Sequence, residues 1–241
     1  MASKWDDLAE WWAREVEQDP AYPLDVHPIL RELMPRSDGL AMDLGCGEGQ
    51  GMRLVGGDVF GCDVSLDLLR RANAGGTVVQ SELPDLRWLR DKALDAAISV
   101  YLLDLIRDHA SFFAETARVV RPAGELVVVI NHPAFTAPGS CPMLDTDDEI
   151  LWRWGAYFSE GSSTEPAGDG VVEFFHRPMD ELLTSAAAAG WVLERMIERG
   201  LSDDTVARIP FYAGQQHIPR LLGVRWTRSE DSSQFTVDSP L

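Results

Sequence analysis

The first residues of the chain carry apolar side chains at helical spacing. They recur every three or four positions and so share one face of a helix: Trp5, Leu8, Trp12 and Val16. Pro20 ends this predicted helix, and a second short helix is predicted over residues 28–33, before the next proline. We therefore expect residues 1–36 to form an N-terminal helical cap.

From residue 40 onward the pattern changes to short apolar runs separated by helical segments. The runs predict strands over residues 40–44, 58–64, 77–80, 94–100 and 125–131, with helices at 65–74 and 109–120. Strands that alternate with helices predict a parallel sheet. The runs "AAISV" and "LVVVI" are apolar on both faces, which is typical of central strands covered by helices on both sides.

Residues 132–170 interrupt this alternation, because they are rich in Pro, Gly, Ser and acidic residues yet carry Trp152, Trp154, Tyr157 and Phe158. A loop of that length with aromatic residues indicates a lid or binding element. The alternation resumes with the apolar run "VVEFFHRP" at 171–178, a helix at 178–190 and strands at 191–198 and 218–226. We predict one domain with these parts: cap 1–36, cofactor-binding core 37–131, lid 132–177, C-terminal part of the core 178–228 and a frayed polar tail 229–241.

Composition narrows the possible partners. The 241 residues include 21 basic and 39 acidic side chains, a formal charge of -18, which disfavours nucleic acids and anionic membranes. Three cysteines form no even disulfide set and no C-x-x-C pair, and no run approaches the roughly 18 apolar residues of a membrane span. We expect a reduced, cytoplasmic protein without a metal site, either a monomer or a homodimer.

A glycine-rich segment, "AMDLGCGEGQ" at residues 41–50, follows the first predicted strand. A strand that ends in glycines and turns into a helix places unpaired backbone N–H groups at the carboxyl edge of the sheet, where open α/β sheets bind ligands. The dinucleotide fingerprint G-x-G-x-x-G fails here, and the spacing is D-x-G-x-G-x-G. Asp63 ends the next strand 20 residues after Asp43, the separation at which an acid binds ribose hydroxyls.

These segments resemble the class I S-adenosylmethionine-dependent methyltransferases, and in particular their small-molecule branch. The resemblance covers residues 38–227 in the family's order, through "AMDLGCGEGQ", "FGCDVS", "LDAAISVYLLDLI", "ETARVVRPAGELVVVINHP" and "FHRPMDELLTSAAAAGWVLE". It implies a Rossmann-like, doubly wound α/β fold, whose seven-stranded sheet is mostly parallel with a reversed last strand. It also implies S-adenosylmethionine as cofactor and S-adenosylhomocysteine as product.

The resemblance assigns cofactor contacts residue by residue. The glycine loop would lie along the amino acid end, Asp43 would anchor that end and Asp63 would bind both ribose hydroxyls. The full expected set is Tyr22, Asp43, Gly45, Cys46, Gly47, Gly49, Asp63, Val64, Ser65, Ser81, Glu82, Leu83, Ser99 and Tyr101. Two simpler interpretations stay open: the glycines could form only a tight turn, and Asp63 could be a helix N-cap.

Transfer to a hydroxyl requires removal of its proton, which calls for a histidine or carboxylate near the methyl group. His132 directly follows the fifth strand, and His176 lies just after the predicted lid strand and before a helix, so both are candidates for a general base. Asp104 could orient a base or the substrate. Each has a structural alternative, a turn, a packed histidine or a helix start. His27, His109 and His217 lack comparable placement in the sequence.

The leading hypothesis is an S-adenosylmethionine-dependent O-methyltransferase of a small apolar or aromatic molecule. The aromatic residues of the cap and the lid suggest such a pocket: Trp12, Tyr22, Trp152, Trp154 and Tyr157. Nitrogen or carbon acceptors remain alternatives. A nicotinamide-dependent oxidoreductase is disfavoured by the missing third glycine, and a cofactor-binding homologue without methyl transfer, such as a cyclase or a regulatory partner, is also possible.

Overall fold

The computed structural model describes residues 4–36, 38–73 and 76–230. Within them the strands are β1 (Ala41–Leu44), β2 (Val59–Asp63), β3 (Thr77–Gln80), β4 (Leu94–Val100), β5 (Val120–Asn131), β6 (Cys141–Leu144), β7 (Ile150–Arg153), β8 (Gly161–Ala167), β9 (Gly170–His176), β10 (Trp191–Arg199) and β11 (Leu221–Arg228). The α-helices are α1 (Lys4–Gln18), α2 (His27–Leu33), α3 (Gln50–Val55), α4 (Leu66–Ala72), α5 (His109–Val119), α6 (Pro133–Thr136), α7 (Met179–Ala188) and α8 (Asp203–Arg208).

Seven of the strands form one sheet in the order β10-β11-β5-β4-β1-β2-β3. The pairs β1–β2, β1–β4, β2–β3 and β4–β5 are parallel, whereas β11 runs antiparallel to both β5 and β10. The prediction of a mostly parallel, seven-stranded sheet with a reversed last strand is confirmed. The order changes direction between β1 and β4, so the carboxyl ends of these two strands border the crevice where such sheets bind ligands.

Both faces of the sheet are buried, as the apolar runs in β4 and β5 predict. On one face α5 and α7 pack through Phe112, Phe113, Leu182 and Ala186. On the other face α2 packs through Ile29, Leu30 and Leu33. Successive β4 residues alternate between the faces, with Ala97 in the first core and Ile98 in the second. This alternation determines which β4 residues can reach a ligand.

The lid segment 132–177 forms two hairpins outside the main sheet. β6 pairs with β7, and β8 pairs with β9. The expectation that the run at 171–178 returns to the α/β alternation is therefore wrong, because β9 pairs with the neighbouring β8. Gly168, at φ +57°, makes the tight turn between them, and a Cβ there would lie 3.2 Å from the Cβ of Trp11 in α1. The tip of the second hairpin thus packs on the cap helix.

Several boundaries differ from the sequence prediction. Residues 22–26, expected as a loop, form a π-helical turn that runs into α2. Helix α8 was not predicted; Ser202 caps it, and Asp25 of the cap accepts hydrogen bonds from Ser202 N (2.8 Å) and Thr205 Oγ1 (2.5 Å). The predicted tail falls outside the described residues beyond position 230. None of the described helices has the length and apolarity to span a membrane.

Candidate functional site

The loop between β1 and α3 adopts a conformation that requires glycine. Gly45, Gly47 and Gly49 have φ values of +69°, +52° and +87°, in the left-handed region that other residues rarely adopt. A Cβ on Gly45 would also lie 2.7 Å from Cδ1 of Leu102. Substituting these glycines would therefore strain the backbone, and the loop brings its main chain close to whatever occupies the site.

Asp43 lies buried at the start of this loop. Its carboxylate accepts a hydrogen bond from the backbone of Met52, and it lies so close to Gly51 that a Cβ there would collide with it. Burial raises the pKa of Asp43 to about 7, and the negative charges of Asp63 and Glu48 add to the rise. A cationic group bound beside it would favour the ionised form, so this carboxylate is suited to hold an ammonium.

Asp63, at the end of β2, faces the same loop. Its Oδ2 accepts a hydrogen bond from Gly47 N (3.0 Å) and its Oδ1 from Ser65 N (2.8 Å). Burial raises the pKa of Asp63, and these backbone hydrogen bonds oppose the rise. The N-cap of α4 is Ser65, whose Oγ accepts from Leu68 N at 3.3 Å. The alternative that Asp63 caps this helix is therefore wrong.

Two adjoining cavities open from the glycine loop. The larger, of about 620 Å³, runs past Asp63 and the end of β3 to Tyr101; the smaller, of about 50 Å³, lies beside Asp43. Trp12, Gly45, Gly47 and Val100 line both. The arrangement resembles one elongated groove with an acidic end at Asp43 and a second carboxylate, Asp63, farther along.

Most residues of the predicted cofactor set line these cavities. They are Tyr22, Asp43, Gly45, Cys46, Gly47, Asp63, Val64, Ser81, Glu82, Leu83 and Tyr101. Gly49, Ser65 and Ser99 line neither cavity. Gly49 is buried behind the loop, and Ser65 is fully buried with its hydroxyl occupied by Leu68 N and by Asp6. Ser99 is fully buried on the opposite face of β4, so the alternation of the strand gives Val100 the place predicted for Ser99.

Helix α1 closes the groove. Trp5 and Trp12 line the larger cavity, with ring centroids 5.9 Å apart. Asp6 fastens the helix to α4, because its Oδ1 accepts from Ser65 Oγ at 2.9 Å and from Asp67 N at 3.3 Å. The apolar spacing predicted this helix, but nothing in the pattern showed which element it would cover.

Sequence reasoning missed other residues of the groove. They are Lys4, Leu68, Gln80, Val100, Leu102, Leu105 and Ile106 in the larger cavity, and Val16, Val26, His27, Leu30, Glu48, Gln50 and Gly51 in the smaller one. His27, set aside on sequence placement, lies with Nε2 3.3 Å from Oε1 of Gln50, and burial lowers its pKa. Gln80 directly precedes Ser81, and Glu48 directly follows Gly47, and this adjacency to predicted cofactor residues is the signal that could have found them.

Tyr101 has an unusual backbone for a residue with a large side chain. It adopts φ +54°, and its ring contacts that of Tyr22 edge-on, with centroids 5.5 Å apart. Burial raises the pKa of both phenols, so both hydroxyls stay protonated at neutral pH. Strained conformations of this kind concentrate at functional sites.

The structure does not support His132 as a general base. Its Nδ1 accepts from Ala134 N (3.0 Å) as the N-cap of α6, so Nε2 carries the proton that is donated to Oε1 of Glu198 (2.7 Å). Burial lowers the pKa of His132, which keeps the ring neutral. Both ring nitrogens are occupied, and the residue lines neither cavity.

His176 is occupied in the same way. Its Nε2 donates to the carbonyl oxygen of Tyr157 (2.8 Å), and its Nδ1 lies 3.0 Å from Oγ1 of Thr136, which can donate to it. Burial lowers the pKa of His176, and the side chain lines neither cavity. This histidine joins the two parts of the lid instead of facing the groove.

Asp104, the third catalytic candidate, is buried beneath the end of β5. Its Oδ2 lies 3.3 Å from both the backbone nitrogen and Nδ2 of Asn131, which donate to it. Burial raises the pKa of Asp104 to about 7, and these hydrogen bonds oppose the rise. The carboxylate lines neither cavity, and its hydrogen bonds go to Asn131.

We expect His132→Asn and His176→Asn to lower the stability of the protein and to leave turnover per folded molecule unchanged. Each change removes hydrogen bonds from a buried ring, which should cost about 1–3 kcal/mol of unfolding free energy. Thermal denaturation and turnover per folded molecule, measured together, check this, with the exposed His217→Asn as the matched control. A roughly 100-fold loss of turnover at unchanged stability would instead restore one of them as a base.

Comparison with known proteins agrees with this architecture. A family model described as a methyltransferase domain matches residues 42–128, from Met42 in β1 into β5. A solved S-adenosylmethionine-dependent methyltransferase from Mesorhizobium loti superimposes with a TM-score of 0.73 at 27% identity, covering 83% of this chain and 96% of that one.

Two curated relatives match a smaller part. The ubiquinone biosynthesis O-methyltransferase of Hahella chejuensis is 26% identical over 138 residues, 51% of this chain and 57% of that protein. The demethylmenaquinone methyltransferase of Tropheryma whipplei is 33% identical over 110 residues, 40% of this chain and 44% of that protein. The chain thus spans about half the length of these two relatives. With the sheet order, the glycine loop and the two carboxylates described above, these matches support the class I S-adenosylmethionine-dependent methyltransferase family.

Proposed function

We propose that the chain transfers a methyl group from S-adenosylmethionine to an oxygen atom of a small apolar or aromatic molecule. The observation that carries the proposal is the pair of adjoining cavities on either side of the glycine loop, one lined by Asp43 and the other by Asp63 and Tyr101. In such a cofactor the sulfonium lies between the amino acid and the ribose, so an amino acid end at Asp43 and a ribose at Asp63 would place the reactive methyl group between them, near the Val100 wall that both cavities share.

The residues present fit this cofactor. Asp43 offers a buried carboxylate for the ammonium, the glycine loop admits close backbone approach, and Asp63 offers carboxylate oxygens for ribose hydroxyls. Val64, Leu68 and Leu83 supply apolar surface along the larger cavity for a flat base. Bound S-adenosylmethionine supplies an electrophilic methyl group; the protein supplies its placement.

A small acceptor is favoured by how the groove is enclosed. Trp5, Trp12 and Tyr22 narrow the groove, and Leu102, Leu105 and Ile106 make the acceptor end apolar. The charge of -18 disfavours nucleic acid substrates. The names of both curated relatives refer to quinones, in keeping with an apolar or aromatic acceptor.

Catalysis in this groove rests mainly on positioning. Holding an acceptor oxygen about 3 Å from a methyl carbon can supply much of the rate of an in-line displacement. Tyr22 and Tyr101 keep their protons, so they donate hydrogen bonds and do not serve as bases. An acceptor hydroxyl that ionises readily suits such a site better than an alcohol of high pKa.

Methyl-labelled S-adenosylmethionine, incubated with a panel of phenols, catechols, quinols and amines, tests the proposal. We expect label to appear in phenolic or quinol products and S-adenosylhomocysteine to form in equal amount. Asp63→Ala serves as the control that should lose transfer at limiting cofactor. A product that forms without label would contradict the proposal and favour a homologue that binds the cofactor without transferring its methyl group.

A further inference from the structure

Two phenol side chains, those of Tyr22 and Tyr101, lie beside the wall that the two cavities share. Val100 lines both cavities, Tyr22 lines the smaller one, and Tyr101, the residue after Val100, lines the larger one. The two rings meet edge-on, with centroids 5.5 Å apart. Since the methyl group would lie near Val100, an acceptor oxygen that approaches it comes close to both rings.

The strained backbone of Tyr101 explains how its ring reaches this position. Side chains alternate along β4, so Ile98 and Val100 both pack on the core beneath α2, and a regular strand would turn Tyr101 to the opposite face. At φ +54° the ring of Tyr101 instead packs on the same core as Val100. Its N–H donates to the carbonyl of Val129 in β5 (2.8 Å), which fixes the turn. This costly conformation brings Tyr101 against Tyr22.

Neither of these two phenol hydroxyls has a hydrogen-bond partner among the residues that the structure describes. The neighbouring Tyr212 does have one, because its Oη donates to Oδ2 of Asp19 at 3.2 Å. Tyrosine hydroxyls away from bulk water ordinarily find a partner. Nor is either oxygen among the fully enclosed side-chain atoms that lack a partner, so both open onto free space. The hydroxyls of Tyr22 and Tyr101 are therefore free to donate to a ligand in the cavities that these side chains line.

The carboxylates around the two phenols already have partners. The titratable and charged groups of this neighbourhood are Asp19, Glu48, Asp104, Tyr212 and Arg220. Its three carboxylates, in that order, are engaged by the hydroxyl of Tyr212 at 3.2 Å, by the guanidinium of Arg53 at 3.6 Å and by the amide of Asn131 at 3.3 Å. What this part of the site offers an acceptor oxygen is a pair of free hydrogen-bond donors and not a free base.

We propose that Tyr22 and Tyr101 donate hydrogen bonds to the acceptor oxygen and stabilise it as an anion, so that the acceptor is a phenol or an enol bound in its ionised form. Preorganised donors act most strongly on an oxygen that carries charge. The acceptor O–H bond breaks first, and its proton goes to solvent. The oxygen then bonds to the methyl carbon while the carbon–sulfur bond breaks and leaves its electron pair on sulfur. The inference rests on the proposed function, since it says how the acceptor of that reaction loses its proton.

The probe for this inference is 4-nitrophenol, whose absorbance changes when it ionises. Its pKa is measured by absorbance while it is bound to the full chain saturated with S-adenosylhomocysteine. We expect Tyr22→Phe and Tyr101→Phe each to raise the pKa of the bound probe by about one, a tenfold change in its ionisation, because each removes a donor to the charged oxygen. Tyr212→Phe is the matched control and should leave that pKa unchanged, because the hydroxyl of Tyr212 is engaged with Asp19 and the residue lines neither cavity.

A second readout uses the wild type alone, so it decides the question even where a variant does not fold. Across phenols of different acidity, the pH midpoint of kcat/KM should follow the pKa of the phenol, whereas a protein base would give one midpoint for all.

A midpoint common to all phenols, a probe pKa that is the same in the wild type and in both phenylalanine variants, or an equal rise in Tyr212→Phe would each overturn the inference and leave the proposed function standing. The same holds if the probe does not bind while S-adenosylhomocysteine does. Failure of S-adenosylhomocysteine itself to bind would overturn the proposed function. Melting temperatures of the three variants show whether a change in the probe comes from a loss of structure.

Discussion

Replacing Asp63 by alanine is expected to weaken binding of S-adenosylhomocysteine by roughly one to two orders of magnitude. Asp63 offers carboxylate oxygens to ribose hydroxyls, and a charge-assisted pair of this kind contributes about 1.5–3 kcal/mol. The same side chain also tethers the glycine loop through Gly47 N at 3.0 Å. Isothermal titration calorimetry with the wild type and the variant measures the difference.

The control for this prediction is Asp67→Ala, four residues along the chain. The side chain of Asp67 is 48% exposed and pairs with Arg70 on the surface of α4. Asp67→Ala removes one negative charge from the same part of the chain but no side chain that lines the groove. The affinity for S-adenosylhomocysteine should therefore stay within about twofold of the wild type. Equal affinity in Asp63→Ala and the wild type would show that Asp63 only supports the loop.

Cofactor affinity is expected to fall as the pH is lowered below 7, by up to about tenfold per pH unit. Burial raises the pKa of Asp43 to about 7 in the free protein, whereas a bound ammonium would lower it in the complex. The complex therefore needs the ionised carboxylate, and below pH 7 a proton must leave Asp43 on binding. Affinity should rise from pH 5 to 7 and level off above.

Asp43→Asn tests this assignment, because it keeps the size and removes the titration. The variant should bind weakly at all pH values, with most of the dependence between pH 5 and 7 lost. Calorimetry of the wild type in buffers of different ionisation enthalpy should show about half a proton released at pH 7. A pH dependence that persists in Asp43→Asn would contradict the assignment to Asp43. It would indicate that Glu48 is the titrating group, since burial also raises the pKa of Glu48.

The sheet could be predicted from the sequence because its signals are local. The runs in β4 and β5 are apolar on both faces, and the glycines between Asp43 and Gln50 mark where a strand meets a helix. The hairpins of the lid escaped prediction because each of their strands pairs only with its neighbour, and such pairing leaves no mark that distinguishes it from a sheet strand. Helix α8 is short, and Asp25, whose carboxylate accepts a hydrogen bond from its N-cap residue Ser202, lies 177 residues away in the sequence.

The part of the candidate site that depends only on where residues lie along the backbone could be predicted from the sequence. Asp43, Gly45, Gly47 and Asp63 lie at strand ends, and the fold alone brings those ends together. Side-chain direction and partners were not predictable in this way. His132 lies at the expected edge, yet Glu198, 66 residues away, occupies its ring.

The alternation of side chains along β4 is a second reason why the predicted and observed sites differ. Ser99 and Val100 both end the strand, but only Val100 faces the groove, since neighbouring residues point to opposite faces.

A pair of calorimetric titrations, S-adenosylhomocysteine and NADH into the same preparation, tests the central claim that this groove holds S-adenosylmethionine. The account predicts one S-adenosylhomocysteine bound per chain, weakened by Asp63→Ala, and no detectable binding of NADH, since the glycine spacing lacks the dinucleotide fingerprint. Binding of NADH without binding of S-adenosylhomocysteine would contradict it.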